Sequence, residues 1–437
     1  MSEVLVIGGG LAGVEAAWAL ANNGVSVTIA EMKPEKHSPA HKSDLLAELV
    51  CSNSLKAKRL GSAAGLLKAE MEIFGSLCVE CAKKTEVPAG GALAVDRDKF
   101  SSMVTEKIKS NPLITVKCEE IKSIPDGNVI VAAGPLASDS LAQDIRSLCG
   151  GSLSFFDAAA PIVTAESIDT QSAFSQSRYD RGGEDDYLNC PMNKEEYEHF
   201  YNELVNAESA ELHSFDKKKD VYEGCMPIEV LASRGADTMR FGPMKPVGLT
   251  DPRTGHRPWA VVQLRRENAD GTMYNLVGFQ TNLKFSEQKR VFSLIPALKN
   301  ADFARYGVMH RNTFIDSPRL LNSDFSFRKR DNLFFAGQIT GVEGYMESAA
   351  SGILAGLNMA RRLKGQNPIE LDNITMLGAL SKYISDESVV NFQPMGANFG
   401  ILPPLETKIR DKKLRYEALA NRSIDYYSER GMVKNEN

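Results

Sequence analysis

Residues 4–31, VLVIGGGLAGVEAAWALANNGVSVTIAE, contain the pattern from which the fold can be predicted. An apolar run of strand length enters the glycine-rich turn Gly8-Gly9-Gly10-Leu11-Ala12-Gly13, and a helical pattern follows the turn. A second apolar run, from Val25 to Ala30, ends on the acidic residue Glu31. The order of strand, turn, helix, strand and acid predicts one βαβ unit of a parallel sheet.

Each part of this unit suits a bound dinucleotide. Gly8 allows the tight turn, Gly10 lets the backbone approach a pyrophosphate, and Gly13 lets the helix pack closely on the strand. The start of the helix directs its N–H groups and the positive end of its dipole at the phosphates. Glu31 can then accept a hydrogen bond from a ribose hydroxyl. The alternative is a glycine-rich turn that binds nothing.

A second strand-turn-helix pattern lies near the other end of the chain. The strand pattern begins at Asn332, the turn contains Gly337, Gln338 and Gly341, and a small-residue helix covers residues 348–356. Two such units can hold one long cofactor from both ends of the chain, which favours FAD over NAD. The sequence contains no second GxGxxG, so it does not mark a site for a nicotinamide donor.

The patterns predict an α/β fold. We expect a Rossmann-type FAD-binding domain of the glutathione-reductase-like kind, with an inserted α+β domain that contains an antiparallel sheet. The insertion is indicated by two β-rich segments on either side of the turn signal Asn268-Ala-Asp-Gly271. We divide the chain into a first FAD-binding part (1–90), a mixed segment with a further strand at 128–134 (91–200), an inserted basic substrate and RNA domain (201–325), and a second FAD-binding part with C-terminal helices (326–437).

Charge is unevenly distributed along the 437 residues, whose formal net charge is −5. Residues 216–330 contain 8 Lys and 12 Arg against 12 Asp and Glu, a net of +8, which leaves −13 for the rest. A basic middle segment is typical of a face that binds a polyanion, although an ordinary solvated surface is the alternative. The basic pairs and triplets Lys217–Lys219, His256-Arg257 and Arg265-Arg266 are candidates for phosphate contact, and Trp259 for base stacking or for the core.

Two cysteines are candidate catalytic residues. Cys51 precedes the polar run Ser52-Asn53-Ser54, which could begin a helix and so make the thiol reactive. Cys225 lies between Gly224 and Met226-Pro227, which predicts a turn that presents the thiol. For either cysteine, a small buried hydrophobic role is the alternative.

The remaining cysteine and histidine patterns carry weaker hypotheses. Cys78 and Cys81 form a CxxC, for which a redox pair beside a flavin and ordinary packing are both open. His37 and His41 are separated by Pro39, so we predict no metal site there. Seven scattered cysteines, no apolar run long enough for a membrane span and no leader pattern before the first strand indicate a cytoplasmic protein without a membrane partner.

Several longer motifs converge on one family. They are residues 48–54 (ELVCSNS), 222–249 (YEGCMPIEVLASRGADTMRFGPMKPVGL), 307–313 (GVMHRNT), 334–345 (FFAGQITGVEGY) and 392–404 (FQPMGANFGILPP). With these motifs the chain resembles, nearly end to end, the folate- and FAD-dependent tRNA (uracil-5-)-methyltransferases of the TrmFO type. These blocks are far more selective than the GxGxxG.

The resemblance implies a function and a division of roles. The thiol that matches Cys225 adds to uracil C6, and the thiol that matches Cys51 works near the flavin in methylene transfer or proton removal. The implied one-carbon donor is methylenetetrahydrofolate, the reductant is NAD(P)H, and the product is 5-methyluridine in the T loop of tRNA, with no obligate protein partner. We expect the RNA on the basic segment.

Four other functions remain open from sequence. The same chemistry could act on ribosomal RNA, and the related MnmG (GidA) flavoproteins modify the wobble uridine. The MnmG alternative is disfavoured by the FQPMGANFGILPP block. A generic flavin disulfide reductase would use Cys78 and Cys81, and a non-catalytic RNA-binding flavoprotein would have lost the chemistry.

Overall fold

The computed structural model describes residues 3–38, 40–151, 153–180, 183, 186–210, 226–390 and 392–432. The strands are β1 (Glu3–Ile7), β2 (Ser26–Glu31), β3 (Ser54–Ala57), β4 (Glu86–Val87), β5 (Ala92–Val95), β6 (Ile114–Cys118), β7 (Asn128–Val131), β8 (Leu153–Ala158), β9 (Ile162–Thr164), β10 (Phe174–Ser175), β11 (Leu188–Met192), β12 (Ala260–Arg266), β13 (Met273–Leu276), β14 (Phe303–Arg305), β15 (Met309–Phe314), β16 (Ser326–Phe327) and β17 (Arg330–Phe335).

Helices connect and cover these strands. They are α1 (Leu11–Asn22), α2 (Ala63–Ile73), α3 (Leu77–Lys84), α4 (Arg97–Ser110), α5 (Asp139–Cys149), α6 (Lys194–Val205), α7 (Ile228–Ala232), α8 (Thr238–Phe241), α9 (Phe285–Phe292), α10 (Ser317–Leu320), α11 (Tyr345–Leu363), α12 (Met376–Tyr383) and α13 (Lys412–Glu429). None of the helices in the described parts of the chain combines the length and apolarity that a membrane crossing requires.

A six-stranded sheet, which we call the parallel sheet, is built around β1. Its order is β16-β17-β7-β1-β2-β6, and the neighbours are parallel except for the β16-β17 pair. Val6 of β1 lies opposite Ile29 on one side and Ile130 on the other, and all three side chains are fully buried. Such continuous apolar runs form strands that are covered on both faces. The predicted strands at 128–134 and from 332 onward are therefore confirmed as neighbours in this sheet.

The N-terminal βαβ unit and the second strand-turn-helix unit meet through the closely packed helices α1 and α11. A Cβ at Gly352 of α11 would lie 2.1 Å from the carbonyl oxygen of Ala12 in α1, and one at Gly356 would lie 2.5 Å from that of Ala16. Only glycine allows the two backbones to approach so closely. The small residues of α11 thus place β17 and its following turn beside the N-terminal turn.

A second six-stranded sheet, the antiparallel sheet, has the order β10-β11-β12-β13-β9-β14. Its own hydrophobic core includes Phe200, Phe279 and Phe292. The predicted hairpin is confirmed, since β12 and β13 pair antiparallel on either side of the turn. The two-stranded ribbon β8-β15 lies, along the chain, just outside the first and last strands of this sheet.

The predicted fold class is confirmed, and one local expectation is wrong. The sheets combine the Rossmann-type parallel layer with an inserted antiparallel one, while the four domain boundaries given above remain predictions. The run Ser52-Asn53-Ser54 does not begin a helix, because Ser54 is the first residue of β3, which pairs with β5. The side chain of Asn53 is instead bound by the carbonyls of Val95 and Arg266, contacts that local sequence does not reveal.

Candidate active site

The glycine turn after β1 is fixed by backbone packing at two positions. Gly8 has a φ of +104°, and a Cβ there would lie 2.6 Å from the carbonyl oxygen of Ala132. A Cβ at Gly13 would lie 1.9 Å from the carbonyl oxygen of Gly8. Both positions therefore need glycine for the turn itself, independently of any ligand.

Gly10 differs because it faces open space. It is the N-cap of α1, no side chain caps the helix there, and a Cβ at this position would meet no atom within 4 Å. The first N–H groups of an uncapped helix need an acceptor, and a phosphate is a suitable one. The open space beside Gly10 and the uncapped helix start fit the pyrophosphate of a dinucleotide.

Glu31 closes the turn from the end of β2. It is 8% exposed, and its Oε2 accepts a hydrogen bond from the Gly9 amide at 2.7 Å. Its Oε1 accepts one from the Lys33 amide at 3.1 Å. The carboxylate is thus held rigidly at the cavity wall, with remaining lone pairs that can accept from a ligand hydroxyl.

The carboxyl ends of β1, β2, β7 and β17 open onto one cavity, with an empty volume of about 1040 Å³ that includes its open mouth. Ligands of doubly wound sheets bind at this edge, where the strand order reverses around β1. The wall contains the predicted residues Gly8, Gly9, Gly10, Leu11, Ala12, Glu31, Gly337 and Gln338. It also contains Lys33, His41, Glu48, Val50, Tyr345 and Ser348, which the sequence did not identify as residues of this cofactor site.

Gly341 has a different surrounding from the other predicted glycines of this site. Its φ is +81°, and a Cβ would lie 2.4 Å from the ring of Phe392. Gly341 is not part of the cavity wall, so its observed contact is with the segment that follows α12. In contrast, the Gly337 amide donates to the Ser351 hydroxyl at 2.7 Å, which fixes the turn that the cavity wall includes.

Cys51 lies next to the cavity, between the wall residue Val50 and the hydroxyl of Tyr345. This hydroxyl donates to the Cys51 sulfur at 3.0 Å and accepts from the Cys51 and Ser52 amides at 2.8 and 3.3 Å. Burial raises the pKa of Tyr345 well above its ordinary value, and the nearby Cys51 raises it further. The hydroxyl therefore keeps its proton and remains a donor to the sulfur.

Cys225 lies outside the described residues, as do Lys217–Lys219 and the first residues of the 222–249 block. Their predicted roles remain predictions.

The CxxC pair is unsuited to thiol exchange. Cys78 and Cys81 lie in α3 and are fully buried. Burial raises the pKa of Cys78 well above its ordinary value and that of Cys81 to about 12. Because the thiolate is the reactive form, the geometry favours the packing interpretation over a redox pair.

Two residues predicted to face RNA have other contacts. Trp259 is 36% exposed, and the guanidinium of Arg240 lies 3.7 Å from the centre of its ring, so a cation already covers one face. Arg265 is 6% exposed and donates to Asn53 and Ser52. The expectation that Arg265 contacts a phosphate is therefore wrong, because its side chain is buried and hydrogen-bonded to other residues of the protein.

Comparison with known proteins agrees with the motifs. The family model described as "Glucose inhibited division protein A" matches residues 3–367. The methylenetetrahydrofolate–tRNA-(uracil-5-)-methyltransferase TrmFO of Enterococcus faecalis is 58% identical over 424 residues, which are 97% of each chain. The protein of the same name from Acetivibrio thermocellus is 58% identical over 426 residues, again 97% of each chain.

The chain belongs to the TrmFO family, within the wider GidA group. The solved structure of Aquifex aeolicus GidA superposes with a TM-score of 0.72 at 18% identity, covering 99% of this chain and 76% of that one. At this identity the likeness concerns the fold alone. The resemblance deduced from the motifs is confirmed.

Proposed function

We propose that this protein is a methylenetetrahydrofolate–tRNA (uracil-5-)-methyltransferase that binds FAD and converts a uridine of tRNA to 5-methyluridine. The observation that carries the proposal is the 58% identity, over nearly the whole chain, to proteins with this name. The cavity at the carboxyl edge of the parallel sheet supports it, because its uncapped helix start and its fixed carboxylate fit a dinucleotide.

The chain's own residues suggest how the cofactor is held. The amides at the start of α1 bind the pyrophosphate beside Gly10, and Glu31 accepts from a ribose hydroxyl. Gly337 and Gln338 close the cavity from the C-terminal side. FAD, when bound, supplies the electrons that reduce the transferred one-carbon unit to a methyl group. We propose NAD(P)H as the source of these electrons.

The two cysteines have distinct proposed roles. Uracil C5 is a poor nucleophile until a thiolate adds at C6, because that addition shifts an electron pair onto C5. We assign the addition to Cys225. C5 then bonds to the one-carbon unit as that unit leaves its carrier, a base takes the C5 proton, and the electrons of the C–H bond expel the thiolate as the S–C6 bond breaks. Cys51 assists beside the cavity, where Tyr345 holds its sulfur at 3.0 Å. The target uridine must be turned out of its RNA loop to reach a thiol.

A reconstituted assay tests the proposal. Purified protein is incubated with methylenetetrahydrofolate, NAD(P)H and an unmodified tRNA transcript, and the nucleosides are analysed by mass. We expect 5-methyluridine at a T-loop position, and none in a control transcript in which the target uridine is replaced by cytidine. If ribosomal RNA were methylated and tRNA were not, the substrate would be ribosomal RNA instead of tRNA. A yellow, reducible protein that methylates neither RNA would contradict the proposed activity.

A further inference from the structure

The segment that carries Cys51 has no regular secondary structure. We call residues 48–53 the Cys51 loop; it lies between a turn and β3. The peptide groups of such a segment must find partners elsewhere, because unpaired buried groups are costly. In this loop the partners are side chains from distant parts of the chain, beginning with the Tyr345 hydroxyl, which binds the amides of Cys51 and Ser52.

Arginine side chains bind three consecutive carbonyl groups of the Cys51 loop. Arg97, the first residue of α4, donates to the carbonyl of Leu49 and, at 3.3 Å, to that of Cys51. Arg305 of β14 donates to the carbonyl of Val50 at 2.6 Å. The carbonyl groups of Leu49, Val50 and Cys51 are therefore all bound by arginine side chains. These hydrogen bonds fix the local backbone and thereby the direction of the Cys51 side chain.

Arg97 is itself held by a carboxylate that follows β12. Its Nε lies 2.6 Å from Glu267 Oε2, and its Nη2 lies 3.1 Å from Oε1. Such a two-point pair fixes the plane of the guanidinium, which a lysine cannot reproduce. The side chain of Glu267 is 3% exposed, so this pair is hardly screened by solvent. Glu267, which directly follows β12 of the antiparallel sheet, thus sets the position of Arg97, and Arg97 in turn binds the Cys51 loop.

Two guanidinium groups, those of Arg97 and Arg305, lie beside the loop that carries the thiol. The charge of Cys51 contributes to the pKa shifts of Tyr345 from α11, Arg97 from α4 and Arg305 from β14, so all three groups lie within electrostatic range of the thiol. Burial is the largest single influence on the pKa of Arg97 and acts to lower it, but the charge and the hydrogen bonds of Glu267, together with smaller contributions from Tyr345 and Cys51, raise this pKa overall. Burial, and then the charge of Arg97, lower the pKa of Arg305. Positive charge beside a thiol favours the thiolate form, and the guanidinium groups of Arg97 and Arg305 both bind the loop that carries Cys51.

We propose that Arg97, held in place by Glu267, is a positioning residue for Cys51. It fixes the backbone on both sides of Val50 and directs positive charge at the sulfur. The assignment rests on the proposed function in so far as Cys51 takes part in the reaction. The reactivity of the thiol can nevertheless be measured without folate or RNA, so a failure of this inference and a failure of the proposed function give different results.

The test separates the charge of Arg97 from its two-point hydrogen bonding by using two substitutions. Arg97→Gln removes the charge, and Arg97→Lys keeps it but loses the two-point geometry. The matched control is Arg328→Gln. Arg328 also donates to backbone carbonyls, those of Leu321 and Ser385, and to the carboxylate of Glu387, but within the described part of the chain it makes no hydrogen bond to the Cys51 loop. The readout is the rate at which iodoacetamide alkylates Cys51 in the fully reduced, FAD-loaded protein, followed by peptide mass spectrometry from pH 5 to pH 10.

We expect Arg97→Gln to move the midpoint of the alkylation profile upward by about one pH unit, which is about a tenfold change in the thiolate equilibrium. Arg97→Lys should restore the midpoint but not the rate of methylation, so that kcat falls while the KM for tRNA is unchanged. The Arg328→Gln variant should behave as the unsubstituted protein in both measurements. An unchanged midpoint and an unchanged kcat in Arg97→Gln would overturn the inference.

A second variant covers the case in which Arg97→Gln does not fold, because that substitution leaves the carboxylate of Glu267 buried without its partner. The double variant Arg97→Gln with Glu267→Gln leaves neither member of this buried ion pair charged. It should retain FAD, raise the alkylation midpoint in the same direction and lower kcat. A double variant that binds FAD and has the midpoint and kcat of the unsubstituted protein would equally refute the positioning role.

Discussion

Two glycines of one motif should fail in opposite ways when each is replaced by alanine. Gly10 has a φ of −74° and a ψ of −174°, an extended conformation that any residue adopts, and a Cβ there meets no atom within 4 Å. Gly10→Ala should therefore leave the stability of the FAD-free protein within about 1 kcal/mol of the original. Its methyl group instead occupies the space beside the uncapped start of α1, where we place the pyrophosphate.

The expected loss in FAD binding follows from the contacts that the methyl group displaces. A hydrogen bond to a charged group contributes about 1.5–3 kcal/mol. Losing one phosphate–amide hydrogen bond would therefore weaken FAD binding by about 10- to 150-fold. For Gly13→Ala the order is reversed, because its Cβ would lie 1.9 Å from the Gly8 carbonyl oxygen. The backbone must move, and overpacking of this kind typically costs about 1–3 kcal/mol of folding stability.

Both effects are measurable on the same preparations. FAD is removed, the thermal unfolding of each FAD-free variant is recorded, and FAD is then titrated back while its fluorescence is followed. We expect Gly10→Ala to unfold at a normal temperature but to bind FAD weakly, and Gly13→Ala to unfold at a lower temperature. Normal FAD affinity in Gly10→Ala, or equal destabilisation by the two substitutions, would refute the placement of the pyrophosphate.

Three further predictions concern the thiols and one buried acid. Cys225→Ala should purify yellow with FAD yet form no 5-methyluridine, and full methylation by this variant would exclude the nucleophile role. Tyr345→Phe removes the donor to the Cys51 sulfur and should slow methylation at least about tenfold in single-turnover assays, since one hydrogen bond to a charged group is involved; an unchanged rate would contradict the assignment. Burial raises the pKa of Glu70 from 4.5 to about 7. Between these two pH values the folded state binds more protons than the unfolded state, so the free energy of unfolding falls as the pH rises from 4.5 to about 7. Relative to Glu70→Gln, the unsubstituted protein should lose up to about 3 kcal/mol of unfolding free energy between pH 5 and pH 8, as measured by urea unfolding, and parallel pH profiles would show that the Glu70 carboxyl is not responsible.

The features that could be predicted are those whose physical causes lie close together in the chain. The turn from Gly8 to Gly13 needs glycine because of its own backbone, and the two strands around Asn268-Ala-Asp-Gly271 pair across a short turn. The helix expected at Ser52-Asn53-Ser54 failed for the opposite reason. A capping pattern is only a local preference, and pairing of β3 with β5 prevailed over it.

The βαβ unit, the second glycine turn, the fold class and the family could all be predicted before the structure was known, because each depends on short runs of residues with a fixed spacing. The surroundings of Cys51, in contrast, depend on contacts between residues that are far apart in the chain. Tyr345 lies 294 positions away along the chain and Glu267 lies 170 positions from Arg97, yet these side chains meet at one loop. The burial of Arg265 and the packing of Gly341 on Phe392 likewise follow from the tertiary structure. Such contacts arise when separate sheets and helices bury their surfaces together, and no local pattern specifies which residues will then be neighbours.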